Sequence, residues 1–547
     1  MFKVIKTAVF IVGFICYSTY IFAQSYCNLS ISTTVSDIEG NTILPGDTIC
    51  IQAGMRDYLL FRNLVGTAEL PITIVNSGGE SIIDTDHYYG IKFYGCRFVK
   101  LIGIPTANEH YGFNIRRVGN GAGISIDNLS TNVELAFIEI SNTAIGGIYA
   151  KTDPDCSFIA TRDKFTMYDI KIHDCYLHDI EDEGMYIGSS KFTGQTLTDC
   201  DTVVLPHIIE GVKVYNNVLE HTGWDGIQVS SAPTNCEIYG NLIRNDSYRE
   251  TLYQMSGMLI GGGSDCDCYN NTIIDGKGDG IDIFGSNEMR IYNNLIIRAG
   301  QTYHPGNPAY PRHGIYFGTA PDNSKSSLIL IFNTIIQPKS NGIRFSNTNT
   351  TGNLIHNNIV CEPGDFDTQG NAAFFNHNLQ QTDFTLSNNL FTDLIEYAQF
   401  TDFTDDIYDL KAGSPAINHA LDLGNTGVVF DIMNRTRPFN AGFDIGAFEC
   451  HEVDAGISSQ TGENDAMQII PNPASETVTF NLNHPISGDF ELLIFDNLGR
   501  RIQPISIKNY VENNRSCTLD ITSFKKGIYF VLLQTDSMKF SGKLIVK

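Results

Sequence analysis

The sequence predicts an all-β protein, in which a right-handed parallel β-helix is followed by a small C-terminal β-sandwich. Three observations lead to this fold class: one short block recurs along the middle of the chain, a glycine-led strand pattern follows each copy, and 50 of the 547 residues are glycine. A recurring supersecondary unit is typical of solenoids. We therefore divide the chain into a signal peptide at 1–23, a β-helix at 24–452, a linker at 453–466 and a second domain at 467–547.

The first 23 residues have the pattern of a secretory signal peptide. Lys3 and Lys6 give a positive start, a short apolar run extends from Ala8 to Ile15, and cleavage is expected after Ala23. This run is too short to span a bilayer, and no later run reaches the ~18 apolar residues that a transmembrane helix needs. We expect an exported monomer without a transmembrane segment.

The formal net charge of −25 argues against nucleic acid as a partner, because phosphates would be repelled. The same acidity suits an extracellular protein and leaves carboxylates that could bind Ca²⁺. Thirteen cysteines occur, without the CxxC spacing of a zinc site. Export permits disulfides, and proximity in sequence favours Cys27–Cys50 and Cys156–Cys200. The other cysteines are either paired or buried as small apolar residues.

The first repeated block consists of an aromatic or apolar residue, two positions that favour asparagine, and two apolar residues. The second asparagine recurs at Asn217, Asn241, Asn271, Asn294, Asn333, Asn358 and Asn389. The gaps between them range from 23 to 39 residues, as expected for coils with loop insertions. Stacked amides can hydrogen-bond from coil to coil, and asparagine tolerates the left-handed backbone of a tight turn. We assign these asparagines a structural role and no chemistry.

The second block reads glycine, apolar, variable, apolar, and its glycines are Gly147, Gly184, Gly226, Gly257, Gly280, Gly314 and Gly342. Each copy predicts a short strand with alternate side chains pointing inward. Stacking then places equivalent residues of successive coils ~4.8 Å apart. Residues far apart in sequence become neighbours in a row.

The start of the β-helix carries a resemblance to known proteins. The chain reads PGDTI at 45–49, GTAELPITI at 66–74 and VNSGG at 75–79. This succession resembles the opening of polysaccharide-degrading β-helix proteins of the chondroitinase-B and alginate-lyase type. The resemblance implies the same fold and points to a polysaccharide as partner.

A distinctive segment ends the β-helix, from SPAIN at 414–418 to DIGAFE at 444–449. It resembles the closing segment of bacterial surface β-helix proteins of the choice-of-anchor type. We expect it to cover the open end of the stack, where an unpaired strand edge would otherwise be exposed. Its charged residues should form a buried or half-buried polar network: Asp431, Arg435, Arg437, Asp444 and Glu449.

The last 80 or so residues carry the most specific motifs. PNPA occurs at 471–474, DNLGR at 496–500, GIY at 527–529 and KLIVK at 543–547. In this order they resemble the type A C-terminal sorting domain of the type IX secretion system. The resemblance implies a Bacteroidetes-type bacterium, passage through the periplasm, the secretion machinery as partner, and a secreted or cell-surface location.

Two rows of the predicted stack contain the candidate site. The residue before each strand glycine gives one row: Glu183, Asp225, Ser256, Asp279, His313 and Asn341. The outward strand position gives the other: Tyr149, Tyr186, Gln228, Leu259, Asp282, Tyr316 and Arg344. Aromatic rings can stack on sugars and polar groups can orient hydroxyls, so this face predicts a carbohydrate groove.

The preferred chemistry is that of a polysaccharide lyase acting on a uronic acid, which needs a base and a cation that neutralises the acid group. As catalytic residues we name His313, Lys277 and Arg312. As substrate-binding residues we name Tyr186, Trp224, Gln228, Tyr316 and Arg344. As ligands of Ca²⁺ we name Glu183, Asp225, Asp279 and Asp282.

Two alternatives remain open. A glycoside hydrolase would use two carboxylates, and Asp225 and Asp279 lie two coils apart, ~10 Å between backbones. A non-catalytic adhesin or glycan-binding surface protein would spread its polar residues evenly along the stack. An enzyme would instead bring a base, a cation site and aromatic rings together in one cleft.

Overall fold

The computed structural model describes residues 27–547 except 107–108, 305–310, 365–372, 378–382, 425, 440, 452–466, 473, 483–489, 497–500, 503–515 and 536–538. The predicted signal peptide and the predicted linker lie outside the described residues. The chain divides into two compact units, Met1–Glu452 and Val453–Lys547.

The first unit is a stack of coils whose strands form three parallel faces. Face 1 is a sheet of twelve parallel strands: Asp37–Glu39, Leu59–Arg62, Tyr89–Tyr94, Ala122–Asp127, Ile148–Ala150, Met185–Ile187, Ile227–Val229, Ser256–Ile260, Asp279–Ile283, Ile315–Phe317, Ile343–Phe345 and Phe375–His377. Each strand pairs with the equivalent strands of the coils before and after it.

Faces 2 and 3 form one 23-stranded sheet that bends between them. Face 2 comprises Leu29–Ile31, Thr48–Arg56, Ile72–Thr85, Arg97–Ile102, Thr131–Ala136, Thr166–His173, Ile208–Tyr215, Thr234–Tyr239, Cys266–Tyr269, Asn287–Tyr292, Ser326–Ile331, Asn353–His356 and Phe384–Ser387. Face 3 comprises Phe113–Val118, Ile138–Thr143, Tyr176–Ile180, Val218–Thr222, Leu242–Arg244, Thr272–Ile274, Leu295–Ile297, Thr334–Ile336, Ile359–Cys361 and Leu390–Thr392. The long strands Thr48–Arg56 and Ile72–Thr85 run across both faces. This arrangement is the parallel β-helix that the sequence predicts.

Short elements interrupt the coils of the first unit. Two antiparallel hairpins occur: Gln195–Leu197 with Thr202–Val204, and Phe400–Asp402 with Ile407–Leu410. The 3₁₀ turns are Gly40–Thr42, Thr198–Cys200, Ile395–Ala398 and Phe403–Asp405. The interior of the stack is filled by the inward, mostly isoleucine and leucine, side chains of all three faces, which form one continuous apolar core.

The predicted asparagine row exists as a continuous ladder of buried hydrogen bonds. From Asn217 to Asn389, each side-chain Nδ2 donates to the Oδ1 of the next ladder residue at 3.0 Å. That Oδ1 also accepts the backbone N–H of the preceding ladder residue. The structural role is confirmed.

The ladder occupies the corner between faces 2 and 3. From residues 174–175 to residues 388–389, this corner contains two residues in every coil. The first of the two has a left-handed backbone, with φ of 55° at Asn216 and 54° at Asn270. The second carries the laddered amide. We expected one asparagine to provide both the left-handed backbone and the laddered amide. In the structure two neighbouring residues provide one each.

An aromatic stack runs beside the ladder on the outside of face 2. The rings of Tyr215, Tyr239, Tyr269 and Tyr292 lie parallel, with centroids 4.8–4.9 Å apart. This separation is the spacing of successive coils, because each tyrosine ends the equivalent strand. The aromatic position of the first repeated block is thus a second stacked row.

The closing segment does not lie where we expected it. Its apolar residues pack with the outward side chains of face 3, including Leu295, Ile336 and Ile359. The Ala447 N–H donates to Thr334 Oγ1 at 2.9 Å, and these contacts extend over successive coils. The segment therefore covers the flank of the helix, and our placement of it across the open end is wrong. The outward residues of these last face 3 strands are apolar and need such a cover.

The predicted polar network of this segment is present. Arg435 Nε donates to Asp431 Oδ2 at 2.7 Å. Arg437 Nε lies 3.3 Å from Glu449 Oε2, and both side chains are fully buried. Asp444 accepts two backbone N–H groups. Paired charges of this kind fix the irregular backbone in one conformation.

Three disulfides occur in the described residues: Cys27–Cys50, Cys156–Cys200 and Cys236–Cys266. The first two are the predicted pairs. The third links neighbouring strands of face 2, and the sequence analysis missed it. Five further cysteines are buried without a disulfide: Cys96, Cys175, Cys268, Cys361 and Cys450. They confirm the expectation of small apolar cysteines.

The second unit contains two antiparallel sheets. One comprises Met467–Ile470, Thr477–Leu482 and Ser516–Asp520, and the other Phe490–Asp496, Arg501–Ile502, Gly527–Thr535 and Lys539–Val546. Side chains of both sheets share one buried apolar cluster, which includes Phe480, Ile494 and Leu544.

Candidate active site

The outward row of face 1 is aligned as the glycine-led blocks predict. Tyr186 pairs with Gln228, Gln228 with Leu259, Leu259 with Asp282, and Asp282 with Tyr316. The row continues to Arg344, which pairs with Tyr316. Successive members are ~4.8 Å apart along the axis. Four of the five predicted substrate-binding residues therefore share one surface row with one of the predicted metal ligands.

The row that precedes the strand glycines lies at the edge of face 1 and is buried. The backbone N–H of each following residue bonds to the next coil; Gly184 N–H, for example, donates to the Asp225 carbonyl at 3.0 Å. A Cβ on Gly226 would lie 2.5 Å from the Gly257 carbonyl oxygen, so only glycine permits this close stacking. The turn thereby directs the side chains of Asp225 and its equivalents into a confined space.

Four aspartates, Asp225, Asp246, Asp279 and Asp282, form what we call the carboxyl cluster. Ser256 Oγ donates to Asp225 Oδ1 at 2.8 Å. Within the described part of the chain, Asp225 Oδ2 and Asp282 Oδ1 are buried atoms without a hydrogen-bond partner. Unsatisfied buried oxygens cost stability, so each needs a physical explanation.

Burial makes the whole cluster difficult to ionise. It raises the pKa of Asp225 and of Asp282 well above the usual aspartate value, and the neighbouring carboxylates raise both further. Burial raises the pKa of Asp246 and of Asp279 to about 6. The pKa of Glu183, one coil from Asp225, is raised to about 7 by burial. A carboxyl whose pKa is raised in this way keeps its proton to higher pH and can then donate it.

Two of the three predicted catalytic residues lie beside the cluster. Arg312 Nη1 donates to Asp279 Oδ2 at 3.1 Å, and its guanidinium lies 4.7 Å from the centre of the Tyr303 ring. The His313 backbone N–H donates to Asp279 Oδ1, and its ring stacks on Tyr316 at 5.8 Å. Both side chains are buried. Their contacts orient Asp279 and Tyr316.

Lys277 has different surroundings. Its Nζ donates to Glu250 Oε1 at 2.6 Å, and that oxygen also accepts the His304 N–H. The lysine thus links two loops of neighbouring coils. None of its side-chain contacts among the described residues reaches the carboxyl cluster.

An aromatic group continues the site on the other side of Asp225. Tyr149 donates its hydroxyl to Glu183 Oε2 at 3.1 Å and meets Tyr186 edge to face at 5.5 Å. Lys151 Nζ lies 4.6 Å from the centre of the Tyr186 ring. Trp224 is half-buried in the turn before Asp225. Tyr149 and Lys151 were not among the predicted site residues, although Tyr149 occupies the outward row.

Gln228 and Arg344 complete the row. Gln228 is buried, and its Oε1 has no hydrogen-bond partner within the described residues. Arg344 Nη1 donates to Asn376 Oδ1 on the next strand. Asp246 is the clearest omission of the sequence analysis. It lies in the loop after the strand Leu242–Arg244, and Ser247 Oγ donates to it at 2.7 Å.

The Ca²⁺ expectation stays a prediction. Among the residues that the structure describes, no three histidine, cysteine or acidic side chains converge in a way that would hold a metal ion. No chemical step below uses one. In the same described part, no helix is long and apolar enough to cross a membrane.

Two protein-family models match parts of the chain. A model described as right handed beta helix region matches residues 207–391, and one described as secretion system C-terminal sorting domain matches residues 468–547. The chain is a right-handed β-helix protein with a type IX secretion sorting domain. The sorting domain directs this β-helix protein to the cell surface or the extracellular space.

Several solved structures are similar to the β-helix protein. The GH136 lacto-N-biosidase of Eubacterium ramulus is 13% identical, with a TM-score of 0.38, over 64% of this chain and 63% of its own length. Pectate lyase Pel9A is 11% identical, with a TM-score of 0.38, over 78% and 97%. The bacteriophage CBA120 tailspike protein 2 is 11% identical, with a TM-score of 0.32, over 94% and 66%. No curated protein sequence matches the chain.

Proposed function

We propose that this exported protein cleaves a polysaccharide at face 1, with the carboxyl cluster as its acid and base. The observation that carries the proposal is Asp282. It lies on the outward row, is half-buried, and has an oxygen without a partner within the described residues. Its pKa is raised by burial and by neighbouring carboxylates. A carboxyl that is both reachable and protonated is suited to donate a proton to a glycosidic oxygen.

A second carboxylate is available behind it. Arg312 favours the ionised form of Asp279, which partly offsets the effect of burial on the pKa of that group. Asp279 and Asp282 belong to the same strand, and the pKa of Asp282 responds to the charge on Asp279. Two carboxyl groups whose surroundings push their pKa values apart can act as an acid and a base, respectively. We assign the proton donor to Asp282 and the ionised partner to Asp279.

The rest of the row would bind the sugar chain. From Tyr186 to Arg344 it crosses five coil steps, about 24 Å at the spacing of stacked strands. The faces of Tyr186 and Tyr316 can stack on sugar rings, and Arg344 can donate hydrogen bonds to hydroxyls. The convergence of acid, arginine and aromatic groups in one place favours an enzyme over an adhesin, whose polar residues would be spread evenly.

Hydrolysis fits these surroundings better than elimination from a uronic acid. Of the predicted cationic residues, Arg312 is engaged with Asp279 at the cluster, and Lys277 is paired with Glu250 away from it. A uronate would therefore meet mainly carboxyl groups, which repel it when ionised. The lyase remains the second candidate because Tyr316 and then Arg344 follow Asp282 on the row and could act on an α-proton.

The test is a panel of neutral and acidic polysaccharides, assayed for new reducing ends and for the ultraviolet absorbance of unsaturated uronate. We expect reducing ends without that absorbance. Asp282→Asn should lower kcat at least about 100-fold with little change in binding, since it removes one proton donor. Glu288→Gln, an exposed face 2 change, is the matched control.

The pH profile adds a second readout. Because a raised pKa keeps Asp282 protonated to higher pH, activity should be lost only as the pH rises through that raised value. Formation of unsaturated products would show that the protein cleaves by elimination and not by hydrolysis. Binding without cleavage of any glycan, or full activity of Asp282→Asn, would contradict the assignment.

A further inference from the structure

Two insertions form a ledge on the side of the β-helix between faces 1 and 2. They comprise residues 151–165 and 188–206, and the Cys156–Cys200 disulfide joins them. The Arg162 N–H donates to the Leu205 carbonyl at 2.9 Å, and Arg162 Nη2 donates to the Phe192 carbonyl at 2.5 Å. Such cross-links give the ledge a defined shape although it lies outside the coils.

A cavity of about 440 Å³ opens where the ledge meets face 2. Its walls are Arg97, Thr131 and Tyr168 from the face 2 strands, and Lys164 and Phe165 from the ledge. This volume lies within the range of roughly 300–1,000 Å³ that is usual for ligand pockets. A second cavity of about 500 Å³ adjoins it and shares residues 162–164. Together they form a groove with room for more than one small ring.

The charge of this groove is opposite to that of the chain. Arg97, Arg162 and Lys164 line it, against the single carboxylate of Asp163, in a protein of formal net charge −25. Asp163 lies 3.5 Å from Lys164. Arg97 is exposed and forms no ion pair within the part of the chain that the structure describes. An excess of positive charge is therefore presented to solvent.

Apolar surface accompanies these cations. The Tyr168 side chain is 44% exposed, Phe165 is half-buried, and on the adjoining cavity Phe158 is 40% exposed. Aromatic faces beside guanidinium and ammonium groups suit a ligand that combines rings with negatively charged substituents. We propose that this groove binds an acidic glycan, through Arg97 and Lys164 to its carboxylate or sulfate groups and through Tyr168 to a sugar ring.

This site is separate from face 1 and does not depend on the proposed cleavage. Its strands belong to face 2, whereas the carboxyl cluster lies along face 1. The cluster is acidic and the groove is basic, so an anionic chain would be held at the groove. The protein would thereby attach to an acidic matrix while face 1 acts on another chain or another part of it.

The test measures binding to the full exported chain carrying Asp282→Asn, so that no bound glycan is cleaved. The probes are an oligogalacturonate, a sulfated galactan oligosaccharide, a neutral cello-oligosaccharide and an oligoglutamate peptide. We expect an acidic sugar to bind best, and the preference between the first two identifies its acid group. Arg97→Gln should weaken that binding about tenfold, the effect of one charge-assisted hydrogen bond.

Arg116→Gln is the matched control, since Arg116 is an exposed arginine of the same sheet that lies 3.5 Å from Glu80, outside the groove. It should leave binding unchanged, whereas Tyr168→Ala should weaken it. Equal affinity for the neutral sugar, equal affinity for oligoglutamate, or unchanged affinity of Arg97→Gln would each overturn the proposal.

Discussion

Replacing Asn271 by alanine should cost about 4 kcal/mol of stability. The Asn271 Nδ2 donates to Asn294 Oδ1 at 3.0 Å and to the Ile238 carbonyl at 2.9 Å. Its Oδ1 accepts Nδ2 and the backbone N–H of Asn241, each at 3.0 Å. Each buried hydrogen bond contributes roughly 1 kcal/mol net, so the loss of four gives about 4 kcal/mol. The side chain is fully buried, so water cannot replace its bonds.

Hydrogen exchange provides the decisive measurement, because a solenoid need not unfold in one step. The backbone N–H of residue 241 loses its acceptor in Asn271→Ala. A loss of about 4 kcal/mol would speed its exchange by roughly three orders of magnitude. Asn270→Gly is the control: it keeps the left-handed turn and removes no laddered bond, so it should change stability by under about 1 kcal/mol. If both variants exchange alike at residue 241, the ladder does not stabilise the coils as argued.

Two further predictions concern pH and the third disulfide. The pKa of Glu183 is about 7 in the folded chain and about 4.5 in the unfolded chain, so between these pH values the folded chain binds more protons. The free energy of unfolding should therefore fall as the pH rises through this range, by about 3 kcal/mol at most. Glu183→Gln should flatten this part of the stability curve, measured by urea unfolding at each pH; an unchanged slope would refute the assignment. Replacing Cys236 and Cys266 by serine removes a 30-residue loop closure and should cost about 3–4 kcal/mol, visible as a lower Tm. Reductant should lower the Tm of the unaltered chain by more than that of this variant, which keeps the two other disulfides; an equal drop in both would contradict a stabilising role for the third.

The β-helix architecture could be predicted from the sequence because the repeated blocks specify it. The asparagines of the ladder recur from Asn217 to Asn389 and the glycines of face 1 from Gly147 to Gly342, so their spacing predicts which residues stack, whatever the length of the loops between them. For the same reason the alignment of Tyr186, Gln228, Asp282, Tyr316 and Arg344 could be read from the blocks.

Residues outside the repeated blocks could not be placed in this way. Asp246 lies in a loop of irregular length, and no periodicity predicts that its carboxyl meets the cluster. Lys277 is close in sequence to Asp279, yet its side chain extends to Glu250. The flank position of the closing segment follows from the apolar outward residues of the last face 3 strands, such as Ile336. These residues depart from the polar alternation expected of an exposed sheet face.

The two-residue corner between faces 2 and 3 has a consequence for how such a protein can change. From residues 174–175 to residues 388–389 this corner keeps a constant length, and the loops that vary in length in these coils lie at the two other corners. Those corners border face 1 on either side. Insertions accumulated over evolution are thereby confined to the rims of the surface that would meet the glycan, so new specificities can arise there while the winding of the chain stays the same.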